Sequence, residues 1–273
     1  LRGFDELDEK SEKKFPEFAN LKGPMYEETI RFFTDMIQNN RSILSVIDAD
    51  HGFVNGELAA HYGFTLKGDT WKRVDGLRTK GRGGILGQAS LLSRQSGASR
   101  TSPILRGNWI VETLLGEPLP RPPANVPVLP DDPGGPELNM RELTERHSSD
   151  PVCAKCHRRI DPFGFALEQF DAIGKLRTDK RNVETTLPDG ASISGLDGLR
   201  RYLLTQRKEQ FVKQFCRKLL GFALGRSVQL SDEPLLDEMA TALKQYKQRF
   251  SVAVEKIVLS PQFRQIRGTE QAE

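Results

Sequence analysis

The chain has 273 residues, with 40 Lys and Arg against 37 Asp and Glu, a formal charge of +3 and 37% hydrophobic residues. So small and finely interspersed a charge excludes the basic footprint of a nucleic-acid binder, and no run approaches the ~18 consecutive apolar residues of a membrane span. Three cysteines, an odd number, do not make a disulfide framework.

The chain opens with Leu1, and LRGFDELDEK reads as the interior of a longer protein, so an export signal is expected upstream. Residues 1–75 read as helical. Over 25–44 the residues Met25, Ile30, Phe33, Ile37 and Leu44 recur at spacings that predict one buried helix face. Leu58, Ala59 and Tyr62 continue the pattern, and Gly63 is a candidate C-cap. The glycine-rich stretch 81–94 matches neither a P-loop nor GxGxxG and reads as a turn entering a close-packed helix. After Ser102-Pro103, Trp109, Ile110 and Leu114 predict a short amphipathic helix stopped by Gly116 and Pro118.

Residues 117–136 hold eight prolines, so no helix forms there; an extended, polyproline-like strap is expected. Residues 138–147 read as a helix. In FGFALEQFDAIG, Phe163, Ala166, Leu167 and Phe170 predict the apolar side of another, started by Asp161-Pro162 and closed by Gly174. Asp189-Gly190 marks a hairpin over 183–195. Beyond Leu199 the chain is helical. Phe211, Phe215, Leu219 and Phe222 form one expected face; Leu235, Leu236 and Met239 form another.

The segment that carries chemistry is Cys153-Ala-Lys-Cys156-His157. Two cysteines three apart lie on one side of a turn and reach the two vinyl groups of one porphyrin; the adjacent histidine becomes the proximal iron ligand. Other readings stay open. Cys153 and Cys156 with Cys216 and a histidine would make a Cys₃His zinc site. A redox dithiol requires a βαβ context that is not visible here. Cys216, beside Phe215 and Leu219, reads as a buried small hydrophobe.

Around the motif, His147 is a candidate for iron ligation or close haem contact, with Met140, Met239, His51 and His61 as further candidates for the second axial position. Arg158 and Arg159 are candidates for pairing with a propionate, since guanidinium binds carboxylate in a bidentate fork. Phe163 and Phe165 are expected as apolar haem wall. Trp109 and Arg106 are candidates for lining the pocket.

The stretches from Ile47 to Gly63, RGGILGQASLL, SRTSPILRGNWIVETLLGEPLPRPP, DPVCAKCHRRIDPFGFALEQFDAIGKLR, LPDGASISG and FVKQFCRKLLGFALGR resemble the C-terminal part of large multidomain cytochrome-like proteins typical of planctomycetes, built from domains of unknown function. The resemblance covers nearly the whole chain and implies a cytochrome-c-like haem module flanked by helical domains in exported proteins.

The expected fold is mainly α, a cytochrome-c-like haem module embedded between helical domains, with one small β-hairpin. The expected division is an N-terminal helical segment over 1–78, a haem module with its proline strap over 79–182, and a C-terminal helical domain over 183–273. The expected function is electron transfer by one covalent haem c within a periplasmic or otherwise extracytoplasmic oxidoreductase system. Its partner would be a redox protein or attached upstream domains. A haem enzyme with an open, peroxidase-like distal site and a zinc-stapled binding module remain the alternatives.

Overall fold

The computed structural model describes residues 3–4, 10–66, 68–120 and 140–265, so most of the proline-rich segment lies outside the described residues. In chain order the elements are α1 (Phe18–Gln38), α2 (Ser45–Asp48), β1 (His51–Val54), α3 (Gly56–His61), β2 (Lys72–Asp75), α4 (Ala89–Arg94), α5 (Pro103–Trp109), α6 (Met140–His147), α7 (Pro151–Phe165), β3 (Glu184–Thr186), β4 (Ser192–Ser194), α8 (Gly195–Thr205), α9 (Lys208–Leu224), α10 (Glu233–Gln245), α11 (Phe250–Leu259) and α12 (Pro261–Arg264). A π-turn, Ile110–Leu114, continues α5. The fold is therefore mainly helical, and among the described residues no helix is long and apolar enough to cross a membrane.

Helix starts follow local chemistry. Pro103, Pro151 and Pro261 each open a helix, where a missing N–H costs nothing, and the preceding Ser102, Asp150 and Ser260 accept a backbone N–H of the first turn. Asn55 caps α3 in the same way, and Gly63 follows it with φ +82°. The expected hairpin forms, with Thr185 opposite Ile193 in antiparallel register.

Four expectations are corrected. Residues 1–75 are not all helix: β1 pairs antiparallel with β2, His51 opposite Asp75, across a connection that contains α3. The strands are too short to show a period, and pairing rather than local preference makes them.

The buried face of α1 is Leu21, Met25, Glu28, Thr29, Phe32 and Met36, while Ile30 and Ile37 are exposed. Two polar residues on the core face hid that face from a purely apolar count. Thr29 Oγ1 lies 2.7 Å from both Gln88 Oε1 and Ser90 Oγ, and Tyr62 donates to Glu28 at 2.6 Å, so the burial is satisfied.

On α9, Phe211 is buried as expected, but Phe222 is 86% exposed and Cys216 and Leu220 take the core positions. Finally, Asp161-Pro162 does not begin a helix: both lie near the end of α7, and the chain turns after Phe165. Phe163, Ala166, Leu167 and Phe170 are all buried even so.

The main core draws on α1, α2, the 85–115 region, α7 and every helix from α8 to α11, including Met36, Ile110, Phe163, Leu203, Met239 and Ile257. A smaller core joins Phe18, Met25, Leu58 and Tyr62 to Ala89 and Ile173. Three buried arginines tie distant segments by their backbones. Arg82 stacks 3.6 Å from the Tyr62 ring and donates to the carbonyls of Gly87 and Gly174. Arg200 donates to the carbonyls of Ile47, Arg82 and Gly83. Arg106 binds the turn after α7. Gly83 and Gly84, both at positive φ, let that strand of chain lie against the carbonyls of Ala49 and Ile47, where a Cβ would sit 2.5 and 2.2 Å away.

His61 is buried with Nε2 3.0 Å from the Ile173 carbonyl, and burial pushes its pKa down to about 4. Its folded pKa is below the unfolded value of 6.5, so its contribution to stability is complete above pH 6.5 and is lost as pH falls towards 4. Replacing it by Gln, which keeps a donor for Ile173 but does not titrate, is expected to remove about 3 kcal/mol of the acid-dependent loss between pH 7 and pH 4. Urea unfolding of both proteins at the two pH values measures the difference; equal losses in both would refute the assignment.

Candidate functional site

The CxxCH residues lie on one helix. Asp150 caps α7 through its carboxylate, 2.8 Å from Val152 N, and Pro151 fixes the first turn. Helical spacing then puts Cys153, Cys156 and His157 at i, i+3 and i+4, on neighbouring positions of one face. Cys153 and Cys156 are free thiols, half-buried. Continuing the face by one more turn brings Asp161 under His157. His157 Nδ1 is 3.0 Å from each Asp161 carboxylate oxygen, with the two side chains 12% and 6% exposed.

Burial raises the Asp161 carboxyl pKa, opposed by the bond from His157. With the carboxylate accepting, the proton sits on Nδ1 and Nε2 carries the free lone pair. This arrangement fixes the tautomer and orientation of a ligating imidazole and raises its basicity. Asp161 was legible in the sequence as an i, i+4 partner of His157, but its position before Pro162 read more simply as a helix cap.

His147, at the end of α6, packs on His157 with ring centroids 5.1 Å apart and planes at 73°. Rings at this separation are in contact. Burial and the neighbouring His157 lower the His147 pKa. The other candidates for a second axial position are engaged elsewhere. His51 Nε2 is 3.0 Å from Asp35, His61 is bonded to Ile173, Met239 is fully buried in the main core, and the Met140 sulfur is 3.3 Å from an Arg100 nitrogen.

The two arginines after the motif separate. Arg159 pairs with Glu117 at 3.3 Å, joining α7 to the start of the proline-rich segment, where Arg207 and Gln210 also meet Glu117. Arg158 is exposed and has no carboxylate partner among the described residues. Phe163 is buried with its ring 6.1 Å from Tyr202, and Phe165 is buried beneath the Arg141 guanidinium at 4.6 Å. Trp109 lines a cavity with Phe33, Phe211 and Phe215, and the motif residues are not among the lining.

Arg106 is wholly buried, and its guanidinium donates to the carbonyls of Leu167, Phe170 and Asp171 and to Ser96 Oγ, with Glu168 Oε1 at 3.4 Å. It therefore shapes the turn that ends α7. Cys216 is fully buried in α9, and burial pushes its thiol up to about 12. Among the described residues no three or more His, Cys, Asp and Glu side chains are grouped to hold a metal ion, so the Cys₃His set for zinc is not assembled.

Three family models match the chain. Residues 2–64 match a protein of unknown function, DUF1592; residues 82–180, which include the CxxCH segment, match DUF1588; residues 189–263 match DUF1585. No curated protein and no solved structure matches it. Across most of its length, therefore, the chain is similar to three families of unknown function in succession, a combination typical of planctomycete cytochrome-like multidomain proteins.

Proposed function

We propose that Cys153, Cys156 and His157 hold one covalent haem c and that the chain is an electron-transfer module of an exported oxidoreductase system. The observation that carries the reading is the His157–Asp161 pair, set one turn below two free thiols on the same helix. These residues fit the group. Each thiol adds across one vinyl double bond, sulfur to one carbon and hydrogen to the other, with no external oxidant. His157 offers Nε2 because Asp161 holds Nδ1. Arg158, uncommitted on the surface next to the motif, is the cation available to a propionate. His147, packed against the His157 ring, would be placed for ligation of the group or close contact with it. When bound, the haem supplies one-electron oxidation and reduction, with a potential tuned by the axial imidazole and its hydrogen bond.

The test is production of the whole chain in a host with c-type maturation machinery. Denatured protein is expected to keep a haem by intact mass and to give a c-type pyridine haemochrome, and the Cys153→Ala/Cys156→Ala variant is expected to lose it on denaturation. Asp161→Asn is expected to keep the haem and raise the midpoint potential, because a neutral partner makes His157 a weaker donor. Colourless protein with the mass of the bare polypeptide would end the proposal.

A further inference from the structure

A second site is built away from the CxxCH face. Between α1, α4, α9 and the π-turn lies a cavity of about 440 Å³, within the ~300–1,000 Å³ range of small-molecule sites. Its walls are mainly apolar, with the rings of Phe33, Trp109, Phe211 and Phe215 contributing. Empty apolar walls forfeit dispersion contacts that a fitted apolar body restores. Two exposed cations, Arg94 and Lys218, also line it. Each stands one turn beyond a wall residue on its own helix: Arg94 follows Leu91 by three on α4, and Lys218 follows Phe215 by three on α9.

These cations differ from their neighbours. On the same α9 surface Lys213 is paired with Asp237 at 2.7 Å, and Arg217 is paired with Glu233. Arg94 and Lys218 have no carboxylate partner among the described residues. Two cations lining one cavity disfavour a cationic occupant and favour an anionic one. Guanidinium also matches a carboxylate in a two-point fork.

We propose that this cavity binds an amphiphile with one apolar chain and one carboxylate head, the chain among the aromatic rings and the head between Arg94 and Lys218. The site stands independently of the haem reading, since Cys153, Cys156 and His157 are not among its lining residues.

The probe is dodecanoate, titrated calorimetrically into the whole chain below the concentration at which it forms micelles. The expected result is saturable binding of one molecule per chain, with a rise in the thermal unfolding midpoint at saturation. Dodecyltrimethylammonium, with the same chain and the opposite charge, is expected to bind at least tenfold more weakly. The Arg94→Gln/Lys218→Gln variant changes only exposed side chains, so it is expected to fold as the parent does and bind dodecanoate at least tenfold more weakly. Absence of saturable binding, or a loss of less than tenfold in either comparison, overturns the proposal. Haem incorporation is read separately by absorbance and mass, so failure here leaves that assignment untouched.

Discussion

Replacing Gly164 by Ala is expected to cost about 4 kcal/mol or more, a large loss for adding one methyl group. Gly164 lies seven residues beyond His157, two turns along the same face of α7. A Cβ there would fall 1.9 Å from the Pro103 carbonyl oxygen and 2.5 Å from its carbon. The contact is reciprocal: a Cβ on Gly107 of α5 would fall 2.0 Å from the Ile160 carbonyl oxygen. Both obstacles are backbone, so no rotamer change relieves them; α5 and α7 would have to separate. Gly23 is the control. It lies inside α1 with nothing within 4 Å of an added Cβ, and Gly23→Ala is expected to be neutral or to stabilise by roughly 0.5–1 kcal/mol. Urea denaturation of the two variants against the parent reads both effects. A Gly164→Ala loss below about 1 kcal/mol would mean that the crossing is not packed as described.

The second large effect is expected at Arg106. Burial lowers its pKa to about 10, so it remains charged at neutral pH. Exchange for Met keeps much of the apolar stem but removes the guanidinium donors to Leu167, Phe170, Asp171 and Ser96, of which the Leu167 and Asp171 carbonyls keep backbone donors, and leaves Glu168 buried with Thr101 as its hydrogen-bond donor among the described residues. Breaking a buried charge pair by removing one partner typically costs ~3–5 kcal/mol, and the loss of a donor at the Phe170 carbonyl adds to it. A loss of about 4 kcal/mol is expected in denaturant unfolding. Arg106→Lys should recover little, because one ammonium cannot span acceptors on both sides of the fork. A variant within 1 kcal/mol of the parent would show that water replaces the guanidinium.

These two positions also explain where reading along the chain succeeded and where it stopped. Ser102-Pro103 and Asp150-Pro151 do open helices in the structure, because capping and a fixed φ are local chemistry. Asp189-Gly190 announces a hairpin for the same reason. The identical-looking Asp161-Pro162 does not start a helix. Asp161 is claimed by His157 one turn back, and the carbonyls that a following helix would have used are claimed by Arg106 from another segment.

By itself the sequence determined the helical class, the glycine after α3 and the hairpin turn, and it placed two thiols on one side of a turn with an imidazole next to them, because each of these depends on residues a few positions apart. Only the tertiary structure decided that β1 and β2 pair, that α1 turns a face carrying Glu28 and Thr29 inward, that Trp109 lines a separate cavity, and that His147 rests on His157. Those outcomes depend on hydrogen-bond partners and packing surfaces supplied from far along the chain, and no local pattern encodes which distant group arrives to satisfy a buried polar atom.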